Sequence, residues 1–312
     1  MNVSAGTLQN YAEDSTSKNS ADKNSADKNE GWQAHLNLKF EHSGVRSVLK
    51  KSQHDGPLRV QRPFYPEGEL AHVYILHPPG GVVGGDQLHI NLHVSNKAQV
   101  LCTTPGSGKF YLSAGNWAQL NQTLQVTAGS SLEWLPQENI LFAGARLRSR
   151  TKIKLEDDAV FIGCDISCLG RPTSNEIFSH GAFDSRLDLY HNKKLLLTEN
   201  LRVFDCQDLT AATGLRGKAI QATLLAFPCT EKHLELAREE LAEQFVEQVA
   251  EQMASKQSQS NLIAATLFDG LLVVRVLGDD SQTVKQQLIS IWQKLRPALL
   301  NKAATLPRIW AT

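Results

Sequence analysis

A chain of 312 residues with 32 basic and 32 acidic side chains has room for one large domain or two ordinary ones and carries no net charge. That balance excludes a field able to hold nucleic acid or an anionic membrane by charge alone. No stretch approaches the ~20 apolar residues of a membrane span, nothing at the start resembles a secretion signal, and five cysteines argue against a disulfide framework, so a cytoplasmic protein is expected.

Residues 1–31 form a low-complexity segment in which Asn19-Ser20-Ala21-Asp22-Lys23 repeats as Asn24-Ser25-Ala26-Asp27-Lys28. Such a polar run buries too little surface to offset its ordering entropy, which predicts a disordered tail. Order begins at Trp32, where Trp32, Ala34, Leu36, Leu38 and Phe40 alternate with polar residues as in a half-buried strand. Further short strands are predicted over 71–76, 88–94, 98–103, 118–126, 131–135, 147–155, 159–164, 183–190 and 195–204. With no helical period before about residue 215, a parallel βαβ sheet is excluded and a large all-β body over 32–228 is expected. The character then changes. Leu234, Ala237, Leu241, Phe245, Val249 and Met253 recur at helical spacing after Thr230, a predicted N-cap. Asp269-Gly270 between 262–268 and 271–277 signals a hairpin, and a last helix is expected from Gln282 to about Leu295, ended by Pro297. The 229–312 segment is expected to pack on the β body, so that 32–312 is a single domain.

Two glycine-rich loops invite a nucleotide reading and fail it. His77-Pro78-Pro79-Gly80-Gly81-Val82-Val83-Gly84-Gly85-Asp86 joins two strands, and Pro79 stands where a dinucleotide loop needs its first glycine. In Thr103-Thr104-Pro105-Gly106-Ser107-Gly108-Lys109-Phe110 the leading glycine and the magnesium-binding hydroxyl of a Walker loop are replaced by Thr103 and Phe110. His89 and His93 share a strand face but lie roughly 13 Å apart, too far for one ion. Cys164 and Cys168 have no second pair at zinc-site spacing and read as small core residues.

Several strings, in order, resemble the urease accessory protein D family (called H in some organisms). They are Trp32, the run Gly56-Pro57-Leu58-Arg59-Val60-Gln61-Arg62-Pro63-Phe64-Tyr65-Pro66-Glu67-Gly68, both glycine loops, Trp134-Leu135-Pro136-Gln137-Glu138, and Gly170-Arg171 with Glu176 before Gly181. Asn139 and Asn175 depart from the pattern at turn positions. The resemblance covers about 32–206 strongly and the remainder by general layout. It implies a mainly β fold, a large two-layered β-helix-like body with an appended C-terminal helix–hairpin–helix segment. It further implies a non-enzymatic maturation chaperone that binds urease apoprotein subunits and accessory proteins F and G and assists nickel insertion, with no permanently bound cofactor. Transient Ni2+ and a dimer within the accessory complex fit that expectation.

A metal conduit must release its ion, which favours carboxylates over thiolates. The expected conduit residues are therefore Asp86, Glu138, Asp165 and Glu176, with His77 held stiffly before two prolines; the plainer alternative is that these acids cap turns. Arg59, Arg62, Tyr65, Lys109, Tyr111 and Arg171 are candidate partner contacts, set against packing beneath the loops. The rival reading is a strand-rich hydrolase or lyase using two of Glu138, Asp165 and Glu176 as acid and base, although no self-sufficient catalytic motif occurs. A standalone nickel store is disfavoured because no His- or Cys-rich tract is present.

Overall fold

The computed structural model describes residues 31–255 and 261–311; the predicted tail lies outside them but for Gly31. The chain opens with the hairpin β1 (Gln33–Ser43) and β2 (Arg46–Asp55) and passes through β3 (Arg59–Val60) to β4 (Ala71–Leu76). It then winds in coils: β5 (Gln87–Ser95), β6 (Gln99–Thr103) and β7 (Gly108–Phe110), followed by β8 (Ala118–Val126), β9 (Ser131–Leu135) and β10 (Asn139–Leu141). The next coil contains β11 (Arg146–Leu155), β12 (Val160–Arg171) and β13 (Glu176–Ile177), and the hairpin β14 (Ala182–His191) and β15 (Lys194–Val203) closes the stack. A one-turn helix, α1 (Cys206–Thr210), leads to β16 (Ile220–Phe227), α2 (Glu231–Ser255), the hairpin β17 (Leu262–Phe268) and β18 (Leu271–Gly278), and α3 (Ser281–Leu300).

Successive long strands alternate between two sheets. The first runs β15-β14-β11-β8-β5-β1-β2 and the second β17-β18-β16-β12-β9-β6-β4-β3. Neighbouring coils are parallel and in register, with Leu88 beside Leu120 and Leu120 beside Ser149. A short third ladder joins Val82, β7, β10 and the end of β12 at one corner of the stack. The architecture is mainly β, as the strand pattern predicts, and solenoid-like, as the family resemblance implies.

The residues explain the layering. The first sheet has one face in water, and its strands alternate: Leu88, Ile90, Leu92 and Val94 point inward between exposed or half-buried polar neighbours. The inner strands of the second sheet are covered on both faces, so β4, β9 and β16 are buried along almost their whole length, while the edge strand β17 is not. One core lies between the sheets, with Phe40, Leu124, Leu147 and Phe183; another lies between the second sheet and the helices, with Ile162, Val274, Ile291 and Trp292.

Several expectations need correction. β2 is too polar to show an apolar period because it is an exposed edge strand, where Lys50 and Lys51 discourage further pairing. β16 was not predicted, and β12 continues well beyond Cys164. Thr230 takes the N-cap position as predicted, its carbonyl accepting the Leu234 N–H at 3.2 Å, while its own backbone N–H donates to His233 Nδ1 at 2.9 Å. Phe245, expected on the buried face of α2, is exposed, and the side chains of Val249 and Met253 lie outside the described residues. Pro297 does not end α3. In the last turn it removes only one backbone donor, and its carbonyl accepts the Asn301 N–H at a left-handed C-cap. The hairpin is as predicted, with Asp269 at φ 46° and Gly270 at φ 77°, the left-handed pair that a two-residue turn requires.

Charge is buried where the helices dock. Glu133 sits in the apolar run of β9 and accepts from Trp292 Nε1 at 2.6 Å and Arg296 Nε at 2.8 Å, both on α3. Arg296, fully buried, also donates through Nη2 to both oxygens of Glu67 and through Nη1 to the Ala303 carbonyl. His72 completes the cluster, 2.7 Å from Glu67. Burial pushes the Glu133 carboxyl above its ordinary range against the pull of Arg296, whereas in Glu67 the bonds from His72 and Arg296 outweigh burial and hold it below. Removing the arginine would leave two buried acids without their cation. Arg296→Ala is therefore expected to lower unfolding free energy by about 3–5 kcal/mol, measured by urea denaturation at pH 7; a loss below about 1 kcal/mol would show that the cluster does not anchor α3.

Candidate functional site

The cores are interrupted by a band of polar residues at inward positions. Gln122, Thr151, Asp165, Thr223 and Glu199 stand where alternation would place aliphatic side chains, and Gly163 adds no bulk. The result is a pair of cavities, each open to the surface on one side. The first, about 280 Å³, extends from His77, Gly80 and the exposed Lys109 past Gln122, Thr151 and Cys164. The second, about 750 Å³, is lined by Glu199, Arg275 and Asn200 and reaches the exposed Arg216 and Phe245. Asp165, Leu187 and Thr223 belong to the lining of both, so the two cavities are neighbours that share these three residues.

The Asp165 carboxyl has no hydrogen-bond partner among the described residues and is pushed up to about 6, first by burial and then by the negative charge of Glu199. Glu199 is held on the other side: Thr223 donates its hydroxyl at 2.9 Å and Arg275 its Nε at 2.5 Å. Two carboxylates, one restrained and one free, thus line the second cavity. Cys164 beside them is a poor ligand as a thiol, because burial and then Asp165 push it up to about 12. The half-buried His77 lies at the far end of the first cavity, where burial lowers its imidazole below the ordinary range despite the opposing charge of Asp86.

The glycine loops form the corner around the first cavity. A side-chain carbon on Gly81 would lie 2.2 Å from the Tyr111 ring, so only glycine lets this loop press against the next coil; the Tyr111 hydroxyl donates to the Gly80 carbonyl at 3.1 Å. Gly85 turns at φ 100°, and Asp86 locks the turn by accepting from Trp32 N–H at 2.8 Å and Val83 N–H at 2.9 Å. Asp86 is a turn cap. Glu138 accepts from the Ser107 hydroxyl at 2.8 Å while its carbonyl accepts the Gly108 N–H, tying two coils together.

The remaining candidates are placed at the surface. Arg171 and Glu176 form an exposed ion pair, with Nε 2.9 Å from Oε2, and the guanidinium lies 5.2 Å from the Phe142 ring. Glu176 lines neither cavity, and an acid–base pair of Glu176 with Asp165 is not formed. Arg59 donates to the carbonyls of Gly56 and Leu58, a local loop lock. Arg62 and Tyr65 border a surface groove, with the Arg46 guanidinium 4.2 Å above the Tyr65 ring. Of the expected conduit residues, the fold brings His77 and Asp165 to one cavity and adds Glu199, Arg275 and Thr223, which sequence reasoning missed. Gln122 and Thr151, polar at inward positions of otherwise apolar alternations, were the available signal. Among the described residues no group of three or more His, Cys, Asp and Glu side chains is placed to hold a metal ion.

A family model described as UreD urease accessory protein matches residues 33–311. The chain belongs to this family. It is 47% identical over 287 residues to the urease accessory protein UreD of Alcanivorax borkumensis, covering 91% of this chain and 93% of that one. The UreD proteins of Aliivibrio fischeri strain MJ11 and Klebsiella aerogenes are 42% and 40% identical, over 90% and 91% of this chain and 97% and 98% of theirs. Membership supports a role in urease maturation and, with it, contact with urease-related proteins. No helix among the described residues is long and apolar enough to cross a membrane.

The geometry of Asp165 sets the sign of a pH effect. Its folded pKa lies above the unfolded carboxylate value, so ionising it opposes folding, and that cost grows from about pH 4 to 6. Asp165→Asn is expected to stabilise the protein at pH 7 by up to about 3 kcal/mol, with the gain vanishing towards pH 4, as read from paired urea titrations. Equal stability at both pH values would place this carboxyl in ordinary water.

Proposed function

We propose that this UreD-family protein is a maturation chaperone that binds urease apoprotein and accessory proteins F and G and gives nickel a route through its interior to the urease site. The observation that carries the reading is the Asp165 carboxyl, without a hydrogen-bond partner, in the shared lining of two neighbouring cavities. Asp165 offers a hard oxygen donor, and Glu199 a second. Neither is supported by enough further ligands to trap the ion. Ions can therefore bind weakly and leave, which suits transfer better than storage. His77 and Lys109 flank one end of this route, and the stiff loops around them suit a docking surface for a partner that delivers nickel.

Asp86 and Glu138 support those loops through hydrogen bonds instead of touching the ion. Arg171, Glu176, Tyr111 and Arg62 belong to the docking part of the proposal, since they present charged or aromatic groups at the surface. No step in this account makes or breaks a covalent bond, which is consistent with a non-enzymatic role. The protein acts in the cytoplasm in this reading.

Co-expression with the urease subunits and accessory proteins F and G is expected to give a co-purifying complex. Asp165→Ala should leave that complex intact while reducing nickel per urease and urease activity by about tenfold or more at limiting nickel. Wild-type activation by Asp165→Ala would remove the interior route. Glu176→Ala is expected to weaken the complex itself, measured by the fraction of urease retained on the tagged chain; full retention with lost activation would assign Glu176 to metal transfer instead.

A further inference from the structure

The outer face of the first sheet carries an arrangement unrelated to the two cavities. His35 on β1 and His89 on β5 are partners in register on adjacent parallel strands. Their rings stack with centroids 4.6 Å apart and planes 8° from parallel. Among the described residues, neither ring has a hydrogen-bond or salt-bridge partner, although His72, His191 and His233 each make at least one such contact. The same row holds Asp55 next to His35 and Asn121 next to His89, both on the same face by register.

Two adjacent imidazoles cannot comfortably both be charged. A neutral imidazole carries one nitrogen lone pair able to bind a metal, and neither of these rings spends its lone pair on a hydrogen bond among the described residues. Strands lie about 4.8 Å apart, and imidazole nitrogens bind late transition metals at about 2.0–2.1 Å, so rings on neighbouring strands can reach one ion between them. Convergence requires each ring to turn about its Cβ–Cγ bond out of the stack. His35 is exposed and His89 half-buried, so that rotation opens into solvent.

We propose that His35 and His89 form a surface site for a divalent late transition-metal cation, each imidazole giving one nitrogen and water completing the shell. Imidazole donors favour nickel, copper and zinc over magnesium or calcium. Two protein ligands without a third make an exchangeable site, not a structural one. The proposal does not depend on the interior route. His93, two positions along the same strand face, serves as the internal control: its partner on β1 is Lys39, a cation that does not share an ion.

The test is isothermal titration of nickel(II) chloride and zinc(II) chloride into the full chain in a non-chelating buffer, with His35→Gln, His89→Gln and His93→Gln variants. One binding event should weaken by about tenfold or more in each of the first two and stay unchanged in His93→Gln. X-ray absorption of the one-equivalent nickel complex should show two imidazole ligands. Wild-type binding in both His35→Gln and His89→Gln, or no binding by the unaltered chain below about 1 mM, would overturn the site. Magnesium chloride should give no event lost with these histidines. Matching thermal melts of the variants separate loss of a ligand from loss of fold.

Discussion

Parallel neighbours cannot be joined by a tight turn; the chain must cross over and return before it can pair again. In this protein the crossover is itself a strand in the opposite sheet, and this one constraint generates most of the architecture. Each coil lays one strand in the first sheet and one in the second, and the turns of successive coils stack at common corners. A loop in such a stack is never isolated. The Pro79–Asp86 segment presses on the Tyr111 loop because that loop occupies the same corner one coil later. Glycine is needed there for contact between coils, and that is why the pattern mimics a phosphate loop without serving as one.

The same arrangement decides where polar groups can be kept. Between the sheets, inward positions from several coils line up, so one polar residue per coil produces a continuous polar band. Gln122, Thr151, Asp165 and Thr223 are distant in sequence and adjacent in effect. Pairing offsets the cost of withdrawing such groups from water; Glu199 has two partners, whereas the half-buried Asp165 carboxyl has none and faces cavity space. That unpaired carboxyl, in the shared lining of two cavities, is the feature on which the proposed route rests. The helix-covered side follows the opposite rule. There Glu133, Glu67, His72 and Arg296 are linked through hydrogen bonds that tie α3 to β9 and to the loop before β4. One cluster is bonded for rigidity. The other is left open.

The surface expresses a third regime. Residues facing water on the first sheet are free of packing demands, and in-register pairing brings side chains together that no local pattern connects. His35 and His89 are 54 positions apart and are neighbours only because β1 and β5 lie side by side. Inspection of the histidines along one strand finds His89 and His93, whose spacing rules out a shared ion. The useful pair runs across the strands.

The sequence by itself determined the strand-rich body, the boundaries of β4, β8 and β9, the Asp269-Gly270 hairpin and the two long C-terminal helices, because alternation, helical spacing and turn chemistry are local properties. It also carried the family resemblance in its turn motifs. Tertiary structure alone decided which polar residues share a cavity, that Asp86 caps a turn, that Glu176 lies at the surface, and that Arg296 reaches Glu67 and Glu133. Those contacts depend on parallel register and on the docking of α3, which join residues far apart in the chain through backbone pairing and burial that no local window contains.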